Sequence, residues 1–220
     1  MFESFPGKFR IHAVTGPEIL ERPDFLELAR KVAAAGLAAV NLRAHGFEGR
    51  KLFELARTLR ELTSAAGVPL IITDRLDVAL AVEADAVNLG AHSIPLQAAA
   101  PLCRERKIAF GCSCHSLGEA LEARKQGAAY IYLGTVFPSR SKPRFIGAGG
   151  VGLLEQVCSE VDIPVFGIGG IDCSNAAQVF SAGAFGLAAI TAVWESIDIT
   201  GDLGRLAAQF DNIDKEKFPS

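Results

Sequence analysis

The segment Gln126-Gly-Ala-Ala-Tyr-Ile-Tyr-Leu-Gly134 decides the fold, because its pattern occurs four times along the chain. In each copy a helical pattern ends at a small residue, and a short apolar strand follows at once. The other copies are Ala35-Gly-Leu-Ala-Ala-Val-Asn-Leu42, Glu83-Ala-Asp-Ala-Val-Asn-Leu-Gly90 and Ala182-Gly-Ala-Phe-Gly-Leu-Ala-Ala-Ile190. Recurring pieces of this kind indicate one architecture built from repeated supersecondary units. Each interval between copies has room for two strand–helix units.

The intervening strands are found where this repeat requires them, at residues 9–14, 68–73, 107–113 and 163–168. Two of them are entered through Pro69 and Pro164, as suits the start of a strand rather than its middle. Eight strands alternating with helices predict an α/β protein, either a closed barrel or an open doubly wound sheet. The recurrence favours a single-domain (β/α)8 TIM barrel over residues 1–220, with a polar, frayed tail at 211–220. The open alternative lacks the glycine-rich turn expected after the first strand, at Val14-Thr-Gly-Pro17.

Charge and composition exclude several classes of function. The net charge of −3 and the scattered basic residues give no footprint for a nucleic acid. No apolar run is long enough to cross a membrane, and the first residues do not look like a signal peptide. Five cysteines, an odd number, fit reduced thiols and a cytoplasmic location. The sequence leaves the oligomeric state open, and a homo-oligomer is compatible with it.

A phosphate site is expected after the last two strands, because such barrels bind ligands at the C-terminal strand ends. Gly169 and Gly170 follow the seventh strand, and Ile190 and Thr191 follow the eighth. Glycine lets backbone N–H groups approach an oxyanion closely. The long segment after the sixth strand carries the hydroxyls and cations expected of a lid that closes on an anion. Its candidate residues are Ser139, Ser141 and Lys142.

Two further strand ends carry polar side chains. Alternation directs Asn41, Arg43 and His45 into the barrel mouth together, and an inward arginine needs an anionic partner, which is either a substrate or Asp74. Ser113 and His115 share one face of the fifth strand, whereas the neighbouring cysteines take the other. This split argues against a metal site. His115 is a candidate general acid or base, or alternatively caps the following helix.

These landmarks together resemble the thiamin phosphate synthase/TenI superfamily over nearly the whole chain. The resemblance rests on motifs that follow one another in the family's order: Val40-Asn-Leu-Arg43, Pro69-Leu-Ile-Ile-Thr-Asp-Arg75, Ala86-Val-Asn-Leu-Gly90, Gly111-Cys-Ser-Cys-His-Ser-Leu117, Gly134-Thr-Val-Phe-Pro-Ser-Arg-Ser-Lys142, Ile168-Gly-Gly-Ile171 and Ala182-Gly-Ala184. It implies an enzyme that acts on a phosphorylated thiazole, with a pyrimidine diphosphate as second substrate in the synthase branch. There, loss of pyrophosphate gives a cation that the thiazole nitrogen captures.

The resemblance also implies roles for the candidate residues. Ser139, Ser141 and Lys142 match positions that contact pyrophosphate and the thiazole phosphate, and Gly169, Ile190 and Thr191 match the thiazole phosphate site. Arg43 and Ser113 also match binding positions.

The departures from the synthase pattern guide the choice of reaction. Asp74 matches one of two magnesium-binding aspartates, but Ser93 occupies the other position, and His45 and Asn88 replace a lysine and a histidine. These losses favour the TenI-like branch, metal-independent thiazole tautomerases in which His115 aligns with the acid/base group. The alternatives are thiamin phosphate synthase and a catalytically silent phosphate-binding barrel. No cofactor is expected, except Mg²⁺ if the synthase alternative holds.

Overall fold

Eight parallel strands close into a barrel in the computed structural model, which describes residues 7–138 and 149–210. The strands are β1 (Ile11–Val14), β2 (Ala38–Leu42), β3 (Leu70–Thr73), β4 (Ala86–Leu89), β5 (Ala109–Cys114), β6 (Tyr130–Gly134), β7 (Val165–Ile168) and β8 (Gly186–Ala189). Each strand pairs with its sequence neighbours, and β8 returns to β1. The predicted (β/α)8 barrel is therefore confirmed. The predicted tail at 211–220 lies outside the described residues.

Helices cover the outside of the barrel. They are α1 (Pro17–Leu20), α2 (Phe25–Ala35), α3 (Gly49–Ala66), α4 (Leu76–Ala81), α5 (Leu96–Arg106), α6 (Leu117–Gln126), α7 (Gly150–Glu160), α8 (Ala176–Ser181), α9 (Thr191–Trp194) and α10 (Ile199–Ala208). On α2 the side chains of Phe25, Leu28, Ala29 and Val32 are buried, as their spacing of three and four residues predicts. No helix among the described residues has the length and apolarity to cross a membrane.

The two prolines before strands contribute carbonyls where they cannot contribute N–H groups. Pro69 precedes β3 and accepts a hydrogen bond from the Val40 N–H at 2.9 Å. Pro164 precedes β7 and accepts one from the Ile131 N–H at 2.9 Å. Each proline therefore extends the hydrogen bonding at a strand entrance without interrupting the ladder.

The barrel interior combines large aromatic side chains with very small partners. Tyr130, Tyr132 and Phe166 are fully buried there, alongside alanines from the other strands. A Cβ on Gly111 would overlap the Tyr130 ring, and a Cβ on Gly186 would lie 2.6 Å from a Phe166 ring carbon. The aromatic rings of β6 and β7 therefore require glycine on the adjacent strands.

A polar chain crosses this apolar interior. The Tyr132 hydroxyl lies 2.6 Å from His12 Nδ1 and accepts a hydrogen bond from Asn41 Nδ2 at 3.0 Å. Thr73 Oγ1 donates to Asn41 Oδ1 at 2.8 Å. The His12 ring also stacks on Phe166, with ring centroids 4.1 Å apart. Burial lowers the pKa of His12 to about 3, so this imidazole is neutral in the folded protein near neutral pH.

We predict that His12 makes the fold less stable in mild acid. The unfolded chain binds a proton at His12 near its ordinary pKa of 6.5, whereas the folded chain does so only near 3. The contribution is complete above the unfolded value and is lost as pH falls between the two, by up to about 1.4 kcal/mol per pH unit. Urea unfolding from pH 7 to 5 measures this slope. His12→Asn should reduce it, and His92→Asn, which replaces an exposed histidine, should retain it.

Candidate functional site at the C-terminal rim of the barrel

Several polar side chains and a pair of glycines lie at one end of the barrel, where the parallel strands have their C-termini. Arg43, Asp74 and Ser113 are at the ends of β2, β3 and β5, and the Gly169-Gly170 pair and Thr191 follow β7 and β8. In barrels of this kind the active site is at this face. The predicted residues Ser139, Ser141 and Lys142 lie outside the described residues.

Arg43 is the cation of this rim, and Thr15 fixes its backbone. The buried Thr15 hydroxyl donates to the Arg43 carbonyl at 3.1 Å and accepts from the Arg43 N–H at 2.9 Å. Burial lowers the pKa of the guanidinium, and the charges of Asp74 and Glu18 oppose this shift. The Arg43 side chain makes no hydrogen bond or ion pair with another residue that the structure describes. A half-buried guanidinium in this state suits an anionic ligand.

Asp74 is held at the end of β3 by donors from the loop after β4. Its Oδ1 accepts hydrogen bonds from Ser93 Oγ at 2.5 Å and from the Gly90 N–H at 3.0 Å. Its Oδ2 faces His45 Nδ1 at 3.6 Å. The backbone is left-handed, with φ at 65°, and its N–H donates to the Asn88 carbonyl. Arg75 pairs with Asp77, and Asp74 forms no ion pair with Arg43 among the described residues.

Asn41 lies deeper than the sequence suggests. Its side chain is fully buried, and both ends of its amide are engaged in the interior chain with Tyr132 and Thr73. Instead of pointing into the open mouth, the amide joins the barrel interior to the end of β3. Direct contact between Asn41 and a substrate stays a prediction.

Ser113 and Asn88 form a neutral polar pair below the rim. Asn88 Nδ2 donates to Ser113 Oγ at 2.9 Å, and Asn88 is 2% exposed. Asn88 Oδ1 has no hydrogen-bond partner among the described residues. The oxygen end of this amide is therefore a buried acceptor that no described residue satisfies.

His115 leans towards the start of α6. Its Nδ1 lies 3.6 Å from Glu119 Oε2, and its backbone N–H donates to the same oxygen at 2.6 Å. Ser116, rather than His115, is the N-cap, because its hydroxyl accepts from the Glu119 N–H. The exposed imidazole is accessible at the rim, and its acid/base role stays a prediction.

The cysteines of β5 face the helices, as alternation predicts. Cys112 and Cys114 are buried among apolar side chains, and burial raises the pKa of Cys112 to about 12. The same cause raises the pKa of Cys114. Both thiols are therefore protonated near neutral pH and poor metal ligands. Within residues 7–138 and 149–210, no group of three or more His, Cys, Asp or Glu side chains could hold a metal ion.

The glycine turn after β7 is shaped by close contacts. Gly169 and Gly170 have φ angles of 102° and 62°, which L side chains rarely adopt. A Cβ on Gly169 would lie 2.6 Å from Thr135 Cγ2, and one on Gly170 would lie 2.7 Å from the Phe137 carbonyl oxygen. Packing against the segment after β6 therefore already requires glycine here. Binding of an oxyanion by the backbone N–H groups of this turn stays a prediction.

The short helix α9 begins directly after β8, with Ile190 as its N-cap. The first N–H groups of a helix have no partner within it, and those of Thr191 and Ala192 are in this position. Trp194 fixes the helix, because its indole Nε1 donates to the Val14 carbonyl at 2.9 Å. A short extra helix after the eighth strand is a frequent phosphate site in these barrels.

The fold and the rim define a (β/α)8-barrel enzyme with its polar groups at the C-terminal strand ends. A family model described as thiamine monophosphate synthase matches residues 11–193. The thiamine-phosphate synthase of Moorella thermoacetica is 41% identical over 181 residues, covering 82% of this chain and 86% of that protein. The thiamine-phosphate synthase of Chloroflexus aurantiacus is 36% identical over 200 residues, covering 91% of this chain and 92% of the relative.

Solved structures agree with the sequence relatives. The thiamine phosphate pyrophosphorylase of Pyrococcus furiosus superposes with a TM-score of 0.84 at 32% identity, covering 98% of this chain and all of the other. A 3-hexulose-6-phosphate synthase, at a TM-score of 0.66 and 18% identity, shares the fold alone. The chain belongs to the thiamin phosphate synthase/TenI superfamily.

Magnesium is the metal that the synthase resemblance implies, and the residues present are a poor fit for it. Of the two aspartate positions only Asp74 carries a carboxylate, and its Oδ1 already accepts two hydrogen bonds. Ser93 Oγ, at the second position, donates to that carboxylate. One carboxylate, with only its Oδ2 free of hydrogen bonds, and one neutral hydroxyl do not make a protein-built Mg²⁺ site.

Sequence patterns indicated most rim residues but missed three. In the sequence Thr15 resembles any turn residue after a strand. Its hydrogen bonds to the Arg43 backbone depend on a contact between the ends of β1 and β2. His92 lies in a loop, where the sequence has no hydrophobic periodicity from which the position of its side chain could be predicted. Trp194 follows apolar residues in the sequence, and the pattern does not distinguish it from the core. Its role could have been suspected, because a buried indole N–H requires an acceptor.

We predict that Gly170→Ala destabilises the fold, because a side chain there must adopt a left-handed backbone and overlap the segment after β6. The left-handed conformation alone costs roughly 1–2 kcal/mol. Gly204→Ala is the matched control, since a Cβ at Gly204 in α10 meets nothing within 4 Å and alanine favours helix. Urea unfolding should show a loss for the first variant and no loss for the second. Equal stability of the two would contradict the steric explanation.

Proposed function

We propose that this enzyme is a thiamin phosphate synthase, a transferase of thiamin biosynthesis. It joins hydroxymethylpyrimidine diphosphate to a thiazole phosphate and releases pyrophosphate. The relatives support this activity over the TenI-like tautomerase that the sequence departures favoured, because the full-length relatives at 36–41% identity carry the synthase name. The synthase alternative is thus better supported than the tautomerase.

The observation that carries the proposal is the presence of two separate anion-directed features on the rim. One is the half-buried guanidinium of Arg43 at the end of β2. The other is the Gly169-Gly170 turn together with the start of α9, after β7 and β8. A reaction between two phosphorylated substrates needs two such features, whereas isomerisation of one thiazole phosphate needs only one.

The proposed chemistry asks the protein mainly to bind and orient. The C–O bond to the diphosphate breaks, and its electron pair leaves with pyrophosphate. The lone pair of the thiazole nitrogen then forms the new C–N bond to the pyrimidine methylene carbon. No side chain has to form a covalent intermediate. Arg43 would stabilise the negative charge that develops on the leaving group, and the glycine turn would hold the thiazole phosphate.

Two uncharged polar side chains support this assignment, in which the protein binds and orients the substrates. Asn88 in β4 and Ser113 in β5, one residue before the C-terminal ends of their strands, are uncharged and hydrogen-bond each other. Their dipoles can stabilise a cationic pyrimidine fragment. Asn88 Oδ1 is a buried acceptor without a hydrogen-bond partner among the described residues.

The first test supplies the purified protein with both substrates, with and without Mg²⁺, and measures thiamin phosphate and pyrophosphate. We expect the two products in equal amounts. A parallel reaction with the carboxythiazole phosphate tautomer alone monitors its aromatisation. Aromatisation without thiamin phosphate would establish the tautomerase instead, and binding of thiazole phosphate without either product would establish a silent binding barrel.

The second test removes the rim cation. Arg43→Ala should lower kcat/KM for the pyrimidine diphosphate by about 10- to 100-fold, the effect of losing a charged hydrogen bond of roughly 1.5–3 kcal/mol. Arg57→Ala is the matched control, because Arg57 is an exposed arginine on α3, the helix that follows the same strand. It should leave kcat/KM unchanged. An equal effect of both variants would remove Arg43 from the proposed site.

A further inference from the structure

Five side chains meet where the loops after β2, β3 and β4 come together, and we call this group the histidine corner. Its members are Arg43, His45, Asp74, His92 and Ser93. His45 connects the group, since its Nδ1 lies 3.6 Å from Asp74 Oδ2 and its ring lies 5.7 Å from that of His92, edge to face. The charge of Arg43 also acts on His45.

Asp74 has a structural task in this corner. Its Oδ1 ties the end of β3 to the loop after β4 through Ser93 Oγ and the Gly90 N–H, and its side chain is only 11% exposed. A cation bound to this oxygen would compete with both donors. Serine at position 93 also removes one negative charge relative to a pair of carboxylates. The corner therefore attracts a divalent cation less, and repels an anion less, than the two-aspartate arrangement.

The two histidines add hydrogen-bond donors at the place where, in the two-aspartate arrangement, a metal ion would neutralise the charge of a bound anion. The 3.6 Å separation of His45 Nδ1 and Asp74 Oδ2 is too long for a hydrogen bond and does not fix the tautomer. Nε2 of His45 can therefore carry the ring proton and donate a hydrogen bond to a ligand. The His45 side chain is 36% exposed and His92 is exposed, so both rings are within reach of a ligand.

Asp74 is the one carboxylate of the corner, and its charge opposes anion binding. The two hydrogen bonds that its Oδ1 accepts, from Ser93 Oγ and the Gly90 N–H, partly compensate that charge. The guanidinium of Arg43 has no ion-pair partner among the described residues and supplies a positive charge that balances the charge of Asp74. Arg43, His45 and His92 together offer N–H donors from three side chains.

We propose that the histidine corner binds a diphosphate group directly, through Arg43, His45 and His92, without a protein-bound divalent metal. The choice of diphosphate rests on the proposed function, in which pyrophosphate is the leaving group. The binding itself does not require turnover, so it is tested separately from the synthase activity.

The probe is inorganic pyrophosphate, titrated into the full-length protein by calorimetry in EDTA and again with excess Mg²⁺. We expect binding in EDTA and at most a small change in Kd with Mg²⁺. The double variant His45→Ala/His92→Ala should weaken binding by about tenfold or more, as for the loss of two hydrogen bonds. Arg57→Ala should bind as the unchanged protein does. Thermal unfolding of each variant verifies that it folds.

Ser93→Asp provides the converse variant. A second carboxylate should weaken pyrophosphate binding in EDTA and make it recover with Mg²⁺, because it restores a two-carboxylate cation site. The proposal is overturned if the unchanged protein binds pyrophosphate only with Mg²⁺ or not at all, or if the histidine variant binds as tightly as Arg57→Ala. Metal-free binding without thiamin phosphate formation would keep this inference and reject the proposed function. Thiamin phosphate formation with strictly Mg²⁺-dependent pyrophosphate binding would keep the proposed function and reject this inference.

Discussion

The closure of β8 onto β1 is the constraint on which every other feature depends. Because all eight strands are parallel and the sheet has no free edge, all eight C-termini must lie on one rim. Side chains that are far apart in sequence are thereby brought to the same surface. Thr15 and Arg43 show this directly, since neighbouring strands carry them into a reciprocal pair of hydrogen bonds. Closure also creates an interior so narrow that the rings of β6 and β7 need glycine beside them.

Local patterns were sufficient for the fold because each repeat contains its own signals. Gly127 ends α6 with a φ of 92°, and a buried apolar strand follows after two residues. Pro69 and Pro164 predicted the strand entrances, and the structure shows why: their carbonyls accept hydrogen bonds from the adjacent strands. The observed β3 and β7 begin directly after these prolines. The buried faces of the helices were predictable in the same way, since on α2 the apolar residues at spacings of three and four are the buried ones.

The site could be predicted only in part, because its interactions join different repeats. The structure places Arg43 and Asp74 directly after β2 and β3 and Ser113 near the end of β5, as the sequence predicts, and their roles in binding stay predictions. Alternation alone could not reveal that the Asn41 amide is engaged by Tyr132 and Thr73, since this depends on how three strands face one another. The position of His92 against His45 depends on two loops, for which a single sequence gives no distance. The reaction was harder still: substituted residues favoured a tautomerase, whereas similarity over the whole chain favours a synthase.

Trp194 gives the molecule an intrinsic optical reporter. It is the single tryptophan of the chain, it is fully buried, and its indole joins the helix after β8 to the end of β1. Indole emission responds to polarity and to hydrogen bonding at Nε1. Because Trp194 belongs to the same short helix whose first turn is the candidate phosphate site, displacement of that helix by a ligand changes the surroundings of one known fluorophore. The fold thus couples occupancy of one side of the rim to a spectroscopic signal that needs no label.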